Sequence, residues 1–279
     1  CIFGLKLDIN FSGGTKISYS YTGEIASAKI EEITKKVIDK SFTVSQSTSL
    51  AGDTQTFEIA LVGKNALSAD AQEKLTTALA KEFKDNKITL YTSNSVSATI
   101  AGSFFLKSLV AVLITAILVV IYVGFRFRRI GGVSAALTAW VALVFDILIS
   151  IFVCVVFRLQ IDSNYIAVVL TILGYSLNDT IVIYDRIREN EKLFPDMEIG
   201  TLVNKSVNTV MIRNIVTTLT TLIAVITIVV TAELFGITTL RTLAIPMAFG
   251  LVSGAISSVF ISGPLWVIWK RYRAAKAKK

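Results

Sequence analysis

The chain has 279 residues, of which 53% are hydrophobic, and its mean hydropathy is +0.66. This composition is too apolar for a soluble globular protein of that length and predicts a membrane protein. The chain contains no histidine and only two cysteines, Cys1 and Cys154, so a Ser-His-Asp triad is excluded and a zinc or iron site is not expected. A Walker phosphate-binding motif is also absent, and we therefore expect no enzyme active site and no cofactor.

The net charge of +8 is distributed unevenly along the chain. Residues 1–100 contain eleven lysines and eleven acidic residues, whereas residues 101–279 contain 17 bases and nine acids. The bases of the second part flank apolar stretches, so membrane topology explains them better than nucleic-acid binding does. We therefore predict two domains, a polar one over residues 1–100 and a transmembrane one over residues 101–279.

The polar domain shows the pattern of an α+β fold. Alternating β-forming residues predict strands over 15–21, 42–49, 54–62 and 87–96, with a turn at Ala51-Gly52-Asp53. Apolar stripes predict helices over 25–40 and 67–84, the second capped by Ser68. The order β-α-β-β-α-β is typical of a ferredoxin-like domain. The sheet face that the helices leave uncovered either binds an extended polypeptide or a partner domain, or is simply exposed to solvent, and the sequence leaves both interpretations open.

Gly13 and Gly14 come directly before the first predicted strand. Two adjacent glycines allow backbone dihedrals that other residues avoid. They either let the chain turn sharply into the strand or let another backbone approach closely. The spacing and the following helix of a phosphate loop are missing, so we expect no nucleotide site there.

Five apolar stretches of about 20 residues can each span a bilayer about 30 Å thick. They cover residues 104–123, 133–157, 165–184, 210–231 and 243–269. One set of span ends carries thirteen bases, whereas the opposite set carries only Lys107, Arg158 and Arg241. The positive-inside rule therefore predicts a cytoplasmic C-terminus and an extracytoplasmic domain over residues 1–100.

The third span contains the run Gly174-Tyr175-Ser176-Leu177-Asn178-Asp179-Thr180. A carboxylate in hydrocarbon costs about 2.5–3.5 kcal/mol on insertion scales, so a membrane protein that keeps one usually uses it to bind, pair or carry a proton. Asp179 lies about 8 Å inside the predicted cytoplasmic boundary, and Arg213 enters the fourth span at a similar depth. We expect the two side chains to form an ion pair across adjacent helices, which either gates a proton path or only fixes helix packing.

Asp146 lies deeper, near the middle of the second span, and has no obvious basic partner. It is a second relay point for protons or a polar packing contact. In the last span, Gly250 and Gly254 form a small-xxx-small pattern that predicts close helix packing.

Three segments resemble the SecF family closely. The residues Asp8-Ile9-Asn10-Phe11-Ser12-Gly13-Gly14-Thr15, preceded by Gly4-Leu5, resemble its G-I-D-F-T-G-G-T signature. The run from Gly174 to Asn190, which ends in Asp185-Arg186-Ile187-Arg188-Glu189-Asn190, resembles its G-Y-S-x-N-D-T-x-V-x-x-D-R-I-R-E-N stretch. Residues 213–221 resemble its R-T-x-x-T-S-x-T-T helix. The resemblance covers nearly the whole chain.

This resemblance implies a member of the RND-like group of proton-driven proteins, acting as an auxiliary subunit of the bacterial Sec translocase in the cytoplasmic (inner) membrane. The implied partners are SecD, the SecYEG translocon with SecA, YajC and the translocating preprotein, and protons are the implied coupling ion. The proton-motive force would promote translocation and release of the preprotein on the outer side. The resemblance implies that Asp179 and its partner Arg213 belong to the proton pathway, and Asn178 and Asp146 are further candidates for that pathway. Other positions matching the motifs are Gly13, Gly14, Thr15, Gly174, Asp185 and Arg186.

The family normally has six spans, one of them before the Gly-Gly-Thr motif. The resemblance therefore implies a further span before Cys1, or a chain that is half of a SecD–SecF fusion. Two other functions stay open at this point. A non-energetic scaffold of the translocon would use Asp179 for packing alone, and an RND-type exporter of small molecules would need a drug-sized apolar pocket.

Overall fold

The computed structural model describes residues 6–38, 42–47, 54–63, 67–235 and 237–277. The turn predicted at Ala51-Gly52-Asp53 lies outside these residues. The chain forms two compact units. The first, here called the sheet unit, comprises Cys1–Leu109, Arg158–Asn164 and Ile228–Thr242. The second, here called the helical unit, comprises Val110–Phe157, Tyr165–Thr227 and Leu243–Lys279.

The sheet unit contains a strand or a helix at each of the six positions predicted for the polar domain. In chain order its elements are β1 (Lys6–Leu7), α1 (Ile9–Ser12), β2 (Gly14–Thr22), α2 (Ser27–Val37), β3 (Phe42–Ser47), β4 (Thr54–Val62), α3 (Ala69–Glu82) and β5 (Thr89–Val96). Strands β2 to β5 form an antiparallel sheet in the order β3-β4-β2-β5. As predicted, the hydroxyl of Ser68 caps α3 by accepting a hydrogen bond from the backbone N–H of Ala71.

The core of the sheet unit lies between the sheet and its two helices. Tyr19 of β2 is opposite Phe57 of β4, and the two buried rings stack with centroids 5.1 Å apart. Ile30 of α2 and Leu75 of α3 are fully buried in the same cluster. Each such side chain contributes about 1.5–3 kcal/mol by leaving water, which is sufficient to hold both amphipathic helices on the sheet.

The Gly13-Gly14 pair both turns the chain and admits a neighbouring backbone. The φ angles are +76° at Gly13 and +141° at Gly14, a region that L-residues rarely adopt. A Cβ atom on Gly14 would lie 2.0 Å from the carbonyl oxygen of Leu61 in β4. Thr15 follows, and its hydroxyl accepts a 2.8 Å hydrogen bond from the backbone N–H of Leu67. Both interpretations of the glycine pair therefore hold.

One pairing in the sheet unit was not predicted. The two residues of β1 pair in parallel with β6 (Gln160–Ile161), and the N–H of Asp8 donates to the carbonyl of Ile161 at 3.0 Å. A strand of two residues is too short to show a period-two pattern, so the sequence carries no signal for it.

The five predicted spans are confirmed as five helical stretches, within the described residues, that are long and apolar enough to cross a membrane. They are α4 (Ala98–Arg126), α5 (Gly132–Val156), α6 (Ser163–Leu193), α7 (Ile199–Leu234) and a composite fifth stretch. The fifth consists of α8 (Thr238–Ser257), a π-helical turn over Ser258–Ser262, and α9 (Gly263–Ala277).

Tyr184 joins three of these helices inside the helical unit. The side chain is fully buried, and its hydroxyl lies 2.7 Å from the hydroxyl of Thr138 in α5 and 2.7 Å from that of Ser262 in the π turn. Phe127 and Trp266 pack against its ring. These contacts bring α6, α5 and the fifth stretch together around one side chain, and the site below depends on this packing.

We predict that Gly14→Ala lowers the free energy of unfolding by at least about 2 kcal/mol, because the substitution adds backbone strain to a clash with a carbonyl. The measurement is the thermal unfolding midpoint of the purified chain in detergent. Gly63→Ala is the matched control, since a Cβ atom there would meet no atom of the described residues within 4 Å. Equal midpoints for the two variants would contradict the strain argument.

Candidate functional site

Asp146 of α5 is fully buried and fully hydrogen-bonded. Its Oδ1 accepts a hydrogen bond of 2.6 Å from Ser253, and its Oδ2 accepts bonds of 2.6 Å from Ser176 and 2.9 Å from Ser257. Ser176 belongs to α6, and the other two serines lie one turn apart on α8. Three helices therefore meet at one carboxylate, and the three hydroxyl bonds connect them.

The glycines of α8 allow these short side chains to reach Asp146. A Cβ atom on Gly254 would lie 2.9 Å from the Cβ of Ser176, and one on Gly250 would lie 2.2 Å from the Cδ1 of Ile172. The backbones of α6 and α8 thus approach along the Gly250-Gly254 face. A serine side chain spans only a short distance, so its bond to Asp146 depends on that approach.

Asp179 of α6 is also buried, at 1% exposure, but its environment is different. Its Oδ2 has no hydrogen-bond partner among the residues that the structure describes. The hydroxyl of Thr218 on α7 faces it. Thr218 Oγ1 and the Nδ2 of Asn214, one turn earlier on α7, are likewise buried and without a partner in the described ranges. Three polar atoms thus share the α6–α7 interface without satisfying one another.

The predicted ion pair between Asp179 and Arg213 is absent here: no described salt bridge joins them, and Arg213 is exposed. The sequence argument placed the two residues at equal depth but did not fix the direction of each side chain. Consecutive helical residues point about 100° apart, and the neighbour that turns inward from α7 is Asn214.

Arg213 instead lines a cleft between α6 and α7, here called the α6–α7 cleft. Its volume is about 410 Å³, and its lining comprises Val182, Asp185, Arg186, Arg188, Glu189, Lys192, Thr209, Val210 and Arg213. Val182 is three residues beyond Asp179 on the same helix, a rise of about 4.5 Å. One residue of the cleft lining therefore lies within one helical turn of Asp179 along α6.

The remaining candidates lie apart from Asp179. Asn178 and Gly174 are exposed on α6. Asp185 binds Arg126 at 3.0 Å and Arg188 at 2.8 Å, and Arg186 binds Glu189 at 2.6 Å. Gly13, Gly14 and Thr15 belong to the sheet unit, where they shape the start of β2.

The sequence analysis did not assign the serines that bond Asp146 or the polar side chains of α7 that turn toward Asp179. Ser253 and Ser257 were detectable in principle, because small polar residues at i and i+4 beside Gly250 and Gly254 mark one helix face. Asn214 and Thr218 share that spacing on α7. The intervening Thr217 instead bonds to the carbonyl of Arg213 in its own helix at 2.8 Å.

Comparison with known proteins gives a consistent result. Residues 74–272 match the family model described as "Protein export membrane protein SecD/SecF, C-terminal". The chain is 32% identical to the protein translocase subunit SecF of Alicyclobacillus acidocaldarius over all of this chain and 87% of that protein. It is 31% identical to the protein translocase subunit SecDF of Thermus thermophilus, over 98% of this chain and 36% of that one.

The fold is similar to solved SecDF structures. A crystal structure of SecDF from Thermus thermophilus, described as a translocon-associated membrane protein, matches with a TM-score of 0.78 and 29% identity, over 97% of this chain and 35% of that one. SecDF in a super-membrane-facing form matches with a TM-score of 0.64 and 26% identity, over 99% of this chain and 36% of that one. The chain thus spans about a third of the length of the SecDF chains it matches.

We predict that Gly254→Ala lowers the free energy of unfolding by about 1–3 kcal/mol, because the added methyl group overlaps a Cβ atom that no rotamer change can move. Thermal unfolding in detergent measures the loss. Gly174→Ala is the control, since its Cβ would meet nothing within 4 Å and alanine favours a helix. A loss for Gly174→Ala as large as that for Gly254→Ala would refute the packing role assigned to α8.

Proposed function

Because the chain belongs to the SecD/SecF family of protein-export membrane proteins, we propose that it is an auxiliary subunit of the Sec protein translocase. In this proposal the chain uses the proton-motive force, together with SecD, to promote translocation and release of preproteins on the outer side of the membrane. Asp179 is the group that takes up and releases the proton. The chain itself carries out no covalent chemistry.

The observation that carries the proposal is the buried Oδ2 of Asp179, which has no hydrogen-bond partner among the described residues. A buried membrane carboxylate with good partners can remain in one state, as the three serines allow for Asp146. Asp179 has no comparable set of donors, because its Oδ2 is unpaired among the described residues and the hydroxyl that faces the carboxylate is that of Thr218. Its charged form is therefore costly where it lies. A change of protonation there alters the relative free energies of two helix arrangements, which is the requirement for coupling.

The α6–α7 cleft supports a route for protons to this carboxylate. It approaches Asp179 within one turn, and its lining is rich in charged side chains that keep it wet. Arg213 lies on this route. When Asp179 is ionised it attracts the guanidinium inward, and when Asp179 is neutral that attraction is lost. The ion pair that is absent in this arrangement is thus proposed for another one.

We further propose that the sheet unit contains an extracytoplasmic ferredoxin-like domain and that the C-terminus is cytoplasmic. The antiparallel order β3-β4-β2-β5, with one helix before β3 and one before β5, supports the ferredoxin-like assignment. The thirteen bases at one set of span ends support the orientation in the inner membrane.

SecD is the proposed direct partner. In the relatives from Thermus thermophilus and Bacillus subtilis, one chain carries the name SecDF, and this chain matches about a third of each. SecYEG with SecA, and YajC, are proposed as the wider assembly on the basis of family membership alone. The clefts that the structure describes are lined mainly by polar and charged side chains, so none of them favours an RND-type exporter of small molecules.

We predict that Asp179→Asn abolishes the part of preprotein translocation that depends on the proton gradient. A preprotein is advanced part-way into vesicles that contain the assembled complex, ATP is removed, and completion is followed with and without a gradient. The amide cannot carry the proton, so completion should fall to the level seen without a gradient. Asp179→Glu, which keeps a titratable group, should retain part of the response.

Asp146→Asn is the matched control, because it makes the same change at the other buried carboxylate. Serine hydroxyls can donate to the remaining oxygen and accept from the new amide. Its gradient response should therefore survive at equal assembled protein. If Asp179→Asn completes translocation as wild type does, the chain is better described as a scaffold of the translocon.

We predict that Thr218→Val changes the free energy of unfolding by less than about 1 kcal/mol, since the hydroxyl makes no hydrogen bond of good geometry within the described residues. The same variant should reduce gradient-dependent translocation several-fold, because it removes the polar group that faces Asp179. Thermal unfolding and the vesicle assay separate the two effects. A large loss of stability with normal coupling would assign Thr218 to packing.

A further inference from the structure

A second charged cleft lies at the same end of the helical unit. It is formed where α4 ends, at the short turn over Arg128–Ile130, and along the last part of α6. Its volume is about 360 Å³, and it is lined by Phe125, Arg126, Arg128, Arg129, Arg188 and Lys192. Five of these six side chains are bases, and we call this site the arginine cleft.

The positive charge of the arginine cleft is largely uncompensated. Asp185 is the one carboxylate bound to its lining within the described residues, and it binds Arg126 at 3.0 Å and Arg188 at 2.8 Å. Arg128 lies over the ring of Phe125 at 4.2 Å. No described salt bridge engages Arg128, Arg129 or Lys192. The cleft therefore concentrates about four net positive charges.

Two other bases at this end of the unit are paired with carboxylates. Arg271 binds Glu198 at 2.5 Å, and Lys270 lies 3.9 Å from Glu191. Membrane topology requires only that bases be present at this end, and paired bases satisfy that requirement equally well. Topology alone thus does not explain why several unpaired bases line one concave site.

We propose that the arginine cleft binds the phosphate of an anionic phospholipid headgroup. A guanidinium presents parallel N–H donors that match phosphate oxygens in pairs, and Arg128 and Arg129 supply two such groups from adjacent positions. Basic pockets between transmembrane helices are suited to anionic headgroups. The bound phosphate would neutralise charge that the described side chains leave unmatched.

The surface below the cleft favours a lipid over a soluble phosphate. Phe125, in the cleft wall, is 67% exposed, and Ile121 and Leu118 of the same helix are 61% and 60% exposed. These side chains recur at three- and four-residue intervals, so they continue from the cleft down one face of α4. Acyl chains would lie along this apolar face while the headgroup occupies the cleft. This inference does not depend on proton coupling at Asp179.

The test is a titration of the complete complex, purified in a neutral detergent, with phosphatidylglycerol or with phosphatidylcholine, in which native mass spectrometry counts the retained lipids. Wild type should retain phosphatidylglycerol preferentially. The double variant Arg128→Gln/Arg129→Gln should bind phosphatidylglycerol about tenfold more weakly, because two of the phosphate-facing charges are lost. Its binding of phosphatidylcholine should not change.

The matched control is Arg273→Gln/Lys276→Gln, which removes the same charge from exposed positions near the end of α9, outside the cleft. It should bind phosphatidylglycerol as wild type does, and Arg128→Lys/Arg129→Lys should recover much of the affinity. Equal weakening by the two Gln double variants would reduce the effect to general surface charge and overturn the proposal. Wild type without a preference for phosphatidylglycerol, or displacement of that lipid by millimolar inorganic phosphate, would overturn it too.

A second measurement tests whether the double variant still folds and assembles. Arg128 and Arg129 are both exposed, so their substitution should leave the thermal unfolding midpoint and the co-purifying subunits unchanged. If the double variant fails to assemble, the single variant Arg129→Gln is titrated in its place. A single variant that assembles and retains wild-type affinity for phosphatidylglycerol would contradict the site.

Discussion

A carboxylate among membrane helices must be hydrogen-bonded, neutral or in reach of water, and this requirement organises the helical unit. The two buried aspartates meet it in opposite ways. Asp146 receives donors from two neighbouring helices, so its charge or dipole is matched by fixed hydroxyls. The Oδ2 of Asp179 has no hydrogen-bond partner among the described residues, although the hydroxyl of Thr218 faces the carboxylate, and Val182, three residues further along α6, lines a polar cleft. One aspartate is thus suited to holding helices together, whereas the other is suited to changing its state.

The difference follows from how closely the helices approach each other. Along α6 and α8, Gly250 and Gly254 remove the side chains that would keep the backbones apart, and a short serine then reaches across. On the α7 side the inward residues are Asn214 and Thr218, and their polar atoms remain unpaired in the described chain. Close contact on one side of α6 and unsatisfied contact on the other would concentrate any rearrangement at the α6–α7 interface.

Much of the fold could be predicted from the sequence, because the strands, amphipathic helices and apolar spans each repeat a strong local pattern. The prediction that failed, an ion pair between Asp179 and Arg213, depends on the direction in which each side chain leaves its helix rather than on its position along the helix. Counting residues predicted the depth of Arg213 in the membrane but not the direction of its side chain around the axis of α7. The side chain of Asn214, the next residue, points about 100° away and is the one that turns inward. The helix ends also extend past the apolar runs. Asp185 shows why, since its ion pairs with Arg126 and Arg188 stabilise charged turns that hydropathy does not detect.

The π turn over Ser258–Ser262 has a consequence for everything that follows it. A π turn holds one residue more than an α turn, and π turns recur at functional positions in helices. Reverting it to α geometry would advance α9 by one residue, a rotation of about 100° and a shift of about 1.5 Å. Trp266 would then leave Tyr184, and Arg271 would leave Glu198. The register of a single turn, secured by the hydroxyl pair of Tyr184 and Ser262, therefore sets which face of the C-terminal helix the rest of the unit contacts.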